Sequence, residues 1–236
     1  MPDAKDFYGL LENQFLTYAD LSSVTIKDSG DPMVPLGPDF PGKVLVIDEG
    51  MKAYTGEHTF VRASLVPLLT KAQEHLREIL PDCDLEVVYG YRHLDIQTAK
   101  YETRTRQVLE ETPGLSGDAL KEAAHRFIAV PEVAGHPTGG AVDIRILDAD
   151  GTPRPMGTDI HAHELDTYVF SPFIDKTAWH NRQILRTCMI RAGFAPFDGE
   201  WWHFSYGDRE WAYYYRKPHA LFGQLRFTAR AFHDYK

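Results

Sequence analysis

The run Ala141-Val-Asp-Ile-Arg-Ile alternates strictly between two kinds of side chain, and an extended strand is the local structure that uses such a period. Val142, Ile144 and Ile146 then share one face, which needs a core to cover it. Ala141, Asp143 and Arg145 share the other. An acid in mid-strand on that second face either meets water or lines a site. Directly upstream, Gly135-His-Pro-Thr-Gly-Gly reads as a tight turn, in which Gly139 and Gly140 let the backbone bend enough for His136 and Asp143 to converge. Imidazole nitrogen and carboxylate oxygen are both ordinary zinc ligands. Taken alone, the pair reads better as a turn histidine beside a solvated acid than as a metal site.

Around this strand the pattern is mixed. Lys43 to Ile47 and Leu85 to Tyr89 read as strands rich in β-branched residues. Apolar residues from Thr59 to Leu80 recur at helical spacing, with Pro67 placed to kink or divide that helix. Helices are expected from Asp95 to Glu111, from Gly117 to Phe127, and from Thr177 to Ala192 with Gly193 as its C-terminal cap. The Pro/Gly-rich stretch from Asp31 to Pro38 reads as an ordered loop. Strands and helices do not alternate regularly as in a doubly wound sheet. The expected fold is α+β: a small antiparallel or mixed sheet packed with helices, in a single domain spanning residues 1–236.

The net charge of −9 argues against a nucleic-acid partner, since phosphate recognition needs a basic face. Arg209, Arg216, Lys217, Arg226 and Arg230 lie among aromatics near the C-terminus, and a packed tail with its cations turned to water is the expected arrangement. Two distant cysteines, Cys83 and Cys188, suit buried free thiols rather than a disulfide framework. The start of the chain is acidic rather than basic, and no apolar run approaches membrane-spanning length. No membrane partner is expected, and the cytoplasm is the expected compartment.

Two further segments carry chemistry. Glu200-Trp-Trp-His203 places an acid and an imidazole inside an aromatic run, where unpaired charge is costly. On a regular strand the two would face opposite ways, so either Glu200 precedes the strand or a bulge reorients one side chain. Arg92, in Gly90-Tyr-Arg, follows a predicted strand, and a fixed guanidinium is one means of stabilising an oxyanion. His161 and His163 could sit on one strand face as a second metal site, or in a loop near the cleft; the loop is the better expectation. His58, His75 and His125 are expected at the surface, and no His-Glu-x-x-His is present.

In this order, Gly90-Tyr-Arg92, His136-Pro-Thr-Gly-Gly-Ala-Val-Asp143 and Glu200-Trp-Trp-His203 resemble the signature of the zinc D,D-peptidase family, in its D-alanyl-D-alanine dipeptidase (VanX-type) branch. The resemblance spans about Leu85 to Gly223, the catalytic core, and is weaker over residues 1–84. It implies one Zn2+ per chain held by His136, Asp143 and His203, with Glu200 as catalytic base and Arg92 steadying the tetrahedral intermediate. The implied substrate is D-Ala-D-Ala or a related short D-dipeptide. A D,D-carboxypeptidase or peptidoglycan endopeptidase shares the same zinc site. A non-catalytic zinc module is disfavoured, because a structural site has no use for a non-ligand carboxylate at Glu200. Two positions depart from the family pattern: Ala134 stands where Ser is usual, and His93 where Pro is common. Both bear on substrate preference more than on catalysis.

Overall fold

The computed structural model describes residues 4–229 apart from Pro38, Val46, Ile47 and His163, and of Ala4 and Lys5 the backbone only. The strands are β1 (Met33–Pro35), β2 (Lys43–Val44), β3 (Phe60–Arg62), β4 (Asp84–Tyr89), β5 (Ala141–Leu147), β6 (Ala195–Pro196) and β7 (His203–Ser205). The helices are α1 (Ala4–Glu12), α2 (Tyr18–Ser23), α3 (Glu49–Thr55), α4 (Leu65–Ile79), α5 (Leu94–Glu111), α6 (Gly117–His125), α7 (Lys176–Ala192) and α8 (Arg209–Tyr214). Five strands form a mixed sheet in the order β2-β4-β5-β7-β6, with β2 parallel to β4 and the other pairs antiparallel. β1 and β3 form a separate antiparallel pair. The architecture is α+β, as the mixed pattern implies.

The apolar face of β5 behaves as its alternation requires. Val142, Ile144 and Ile146 are fully buried in one cluster with Leu65, Leu69 and Leu76 of α4 and Leu185, Cys188 and Met189 of α7. On the other face Arg145 pairs with Glu86 across β4 at 2.6 Å, while Asp143 turns into the cleft described below. Gly193 caps α7 at φ 105°, and Cys83 and Cys188 are free and buried. Arg209 donates to the Leu21 carbonyl at 2.9 Å and the ammonium of Lys217 lies over the Trp211 ring, so that part of the basic tail is packed; Arg230 lies outside the described residues.

Three expectations need correction. Thr59 to Leu80 is not one helix: Phe60–Arg62 is a strand and α4 starts at Leu65. Pro67 falls in the first helical turn, where its missing N–H has no intrahelical acceptor to lose, so it neither kinks nor divides α4. The stretch expected as a loop from Asp31 to Pro38 contains β1, which Pro35 can end because this edge pairs on one side only. Lys43 to Ile47 is a strand only at Lys43–Val44, and Val46 and Ile47 lie outside the described residues.

Gly140 marks where the turn meets the sheet. A Cβ there would lie 2.5 Å from the Tyr206 carbonyl oxygen, and the Tyr206 N–H donates to Gly140 O at 2.8 Å. Gly140→Ala must therefore push β5 and β7 apart at the point that carries the site. It should cost about 1–3 kcal/mol, read as a lower urea midpoint with an unchanged m value. A midpoint equal to the parent's would show that the approach can relax freely.

Candidate metal centre and catalytic cleft

Strand register brings the chemistry together. Asp143 of β5 sits opposite His203 of β7 on one side and Tyr89 of β4 on the other. His136 opens a short helical turn, His136–Thr138, which Gly139 closes in the left-handed region at φ 75°. The His136 Nδ1 donates to Gly90 O at 2.8 Å, leaving Nε2 at 3.3 Å from Asp143 Oδ1. His203 Nδ1 approaches the same oxygen at 3.1 Å. One ligand atom from each of His136, Asp143 and His203 lies within 4.8 Å of the others, and all three residues are buried.

This donor set suits a divalent cation that prefers nitrogen and oxygen, zinc above all, with room for a further ligand. Burial drives the His136 imidazole down to about 4, the neutral form a ligand needs. Burial alone would raise the Asp143 carboxyl, but contacts from His136, His161 and His203 hold it well below its ordinary value. Burial would likewise lower His203, yet Glu210 and Asp143 hold it well above. The cluster is thus a buried negative centre ringed by imidazoles.

Glu200 resolves the choice left open by its spacing: it precedes β7. It lies in the turn before that strand, its N–H bonded to Phe197 O at 3.1 Å and its carbonyl accepting from His203 N at 3.2 Å. The turn allows Glu200 and His203 to line the same cleft. Burial pushes the Glu200 carboxyl up to about 7, against the pull of His203 and with the push of Asp143. Arg92 lines the cleft too. Its guanidinium stacks 4.6 Å from the Tyr89 ring centroid, its Nη1 donates to Gln97 Oε1 at 2.8 Å, and its buried Nε has no hydrogen-bond partner among the described residues.

The two departures have different consequences. His93 caps α5 by accepting from the Asp95 N–H at 3.2 Å, and it stacks on Tyr54 at 3.8 Å. Ala134 is buried at the cleft wall and offers a methyl group where a hydroxyl would donate. The cleft measures about 1360 Å³ and runs from the donor cluster along the Ile96, Lys100, Thr103 and Gln107 face of α5.

His161 lies in a loop at the cleft, as expected, and His125 departs from expectation. His161, in a loop at φ 64°, places Nε2 at 2.8 Å from Asp143 Oδ2, so it braces the carboxylate without joining the three-residue cluster. His163 lies outside the described residues. His125, expected at the surface, is half-buried and lines the cleft. No periodic signal marks either, since His161 lies in a loop and His125 ends α6.

The family profile described as D-ala-D-ala dipeptidase, peptidase M15, matches residues 87–223, more than half of the chain. The chain belongs to this family. It is therefore a peptidase, and the matched span contains Arg92, His136, Asp143, Glu200 and His203. Among relatives, the D-alanyl-D-alanine dipeptidase of Synechocystis sp. (strain ATCC 27184 / PCC 6803 / Kazusa) is 29% identical over 88% of this chain and 95% of its own length. The D-alanyl-D-alanine dipeptidase of Escherichia coli (strain K12) is 30% identical over 30% of this chain and 37% of its own. A solved structure of VanYB in complex with D-Alanine-D-Alanine aligns with 79% of the chain and 90% of its own, at 20% identity and a TM-score of 0.41. Among the described residues no helix is long and apolar enough to cross a membrane.

Proposed function

We propose that this M15 peptidase is a zinc-dependent dipeptidase that hydrolyses D-Ala-D-Ala or a related short D-dipeptide, acting as a single domain with one zinc per chain. The observation that carries the reading is a carboxylate outside the donor cluster but in the same cleft: Glu200 beside His136, Asp143 and His203. A site that only holds structure has no need of it. The Synechocystis relative, similar along nearly its whole length, supports the dipeptide as substrate class.

His136 Nε2, Asp143 Oδ1 and His203 Nδ1 would hold the metal. Bound zinc supplies Lewis acidity and makes water a stronger acid. Glu200 takes the proton of the attacking water and later passes it to the leaving amine. Its turn holds it on the cleft side, and a cation nearby draws its carboxyl below the value of about 7 that burial imposes, towards the ionised form a base requires. Arg92, held by Gln97 and the Tyr89 ring, presents fixed positive charge to the oxyanion that forms on the scissile carbonyl.

One observation favours a second reading. The cleft of about 1360 Å³ exceeds the range of about 300–1,000 Å³ usual for small-ligand pockets, which suits a peptide ending in D-Ala-D-Ala and hence a D,D-carboxypeptidase. Release of D-alanine separates the two. The zinc-loaded protein is expected to cleave free D-Ala-D-Ala, to be silenced by a chelator and restored by zinc, and to spare an N-acylated peptide with the same ending. Cleavage of the acylated peptide alone would transfer the assignment to the carboxypeptidase. Chelator-resistant cleavage would remove the metal from the mechanism.

A further inference from the structure

Both ring nitrogens of His203 face a carboxylate. Nδ1 points to Asp143 in the donor cluster, and Nε2 lies 3.4 Å from Glu210 Oε2. Glu210 is 8% exposed, and neither its Oε2 nor His203 Nε2 makes a well-aligned hydrogen bond among the described residues. The backbone around Glu210 is firmly set. Asp208 caps α8 by accepting from the Trp211 N–H at 2.9 Å, and it also accepts from Ser205 Oγ at 2.8 Å. Two carboxylates, Asp208 and Glu210, are thus buried side by side, an arrangement that costs stability unless a positive partner compensates it.

We propose that Glu210 is a positioning residue of the metal centre: it accepts the Nε2 proton of neutral His203 and so keeps Nδ1 as the metal-facing nitrogen. The inference rests on His203 being a ligand. His136 uses the same device in the opposite sense, since its Nδ1 proton goes to the Gly90 carbonyl and Nε2 faces the cluster. The two imidazoles are held in opposite tautomers. One rests on a neutral carbonyl and the other on a charged carboxylate, which makes His203 the more basic donor.

The test uses the full-length protein with zinc alone as probe. Glu210→Ala should weaken zinc affinity about 10–100-fold in competition with a chromophoric chelator. Glu210→Gln, which keeps an acceptor but no charge, should fall between it and the parent. Any loss of stability in the metal-free variants should be smaller than their loss of zinc affinity, because Glu210 acts through the His203 ring that it faces. In the zinc-loaded parent the His203 Nε2–H should give a downfield imidazole resonance that shifts in Glu210→Gln. Zinc affinity within twofold of the parent in both variants would overturn the proposal. So would a metal-free Glu210→Gln that melts lower by as much as its affinity falls, since that describes a structural role. If the parent takes up no zinc, the metal reading itself fails and this inference with it; a zinc-binding parent with indifferent Glu210 variants sinks the inference alone.

Discussion

Glu200→Ala is expected to keep zinc at the parent's stoichiometry and to lose about 10²–10⁴-fold in kcat. Retention follows from geometry: the ligand atoms that converge come from His136, Asp143 and His203, and the Glu200 carboxylate is not among them. Loss of turnover follows from its place in the turn before β7, where it shares the cleft with the cluster. Glu200→Gln sharpens the test, since it preserves shape and removes only basicity. Neither variant should unfold the protein, because burial already disfavours the charged form of this residue. Metal content by atomic absorption and D-alanine release, measured on the same preparation, decide the matter. Zinc lost together with activity would make Glu200 a ligand; activity within tenfold of the parent would move the base elsewhere.

Asp143→Ala should abolish metal binding and activity together. Asp143 is the common point of the cluster, with Oδ1 facing His136 and His203 and Oδ2 held by His161. Removing it takes away a ligand atom and the negative charge that offsets the surrounding imidazoles. The loss of zinc affinity should exceed the roughly 10–100-fold expected for an outer partner such as Glu210. Asp143→Asn, with an oxygen but no charge, should bind zinc weakly. Stoichiometric zinc in Asp143→Ala at micromolar metal would remove Asp143 from the ligand set.

Much of this centre was legible in the sequence because its parts sit on elements with clear periods. The alternation in β5 set the face of Asp143, and the glycines after His136 announced the turn. Glu200 was legible as a residue but not as a geometry, since no local signal says at which residue an aromatic run begins to pair. β3 was hidden because Val61 fits both the helical spacing that continues into α4 and a buried strand. β1 was hidden because its pairing with β3 is long-range and its composition is that of a loop. Glu210 was invisible: its role comes from the cap that starts α8 and from the height of β7 beneath it, neither of which is encoded in a spacing from His203.

The pairing of Asp143 with His203 across β5 and β7 would make the proposed metal centre a vernier of the sheet. Side chains change face at every residue, so a slip of one position would carry Asp143 into the apolar layer and turn Val142 or Ile144 towards the cleft. A chain folded in the wrong register would bury an acid and at the same time lose its cation site. On the proposed ligand set, metal uptake would report correct strand alignment, and a fast zinc-binding assay on freshly refolded protein is expected to count the molecules whose sheet has closed in register.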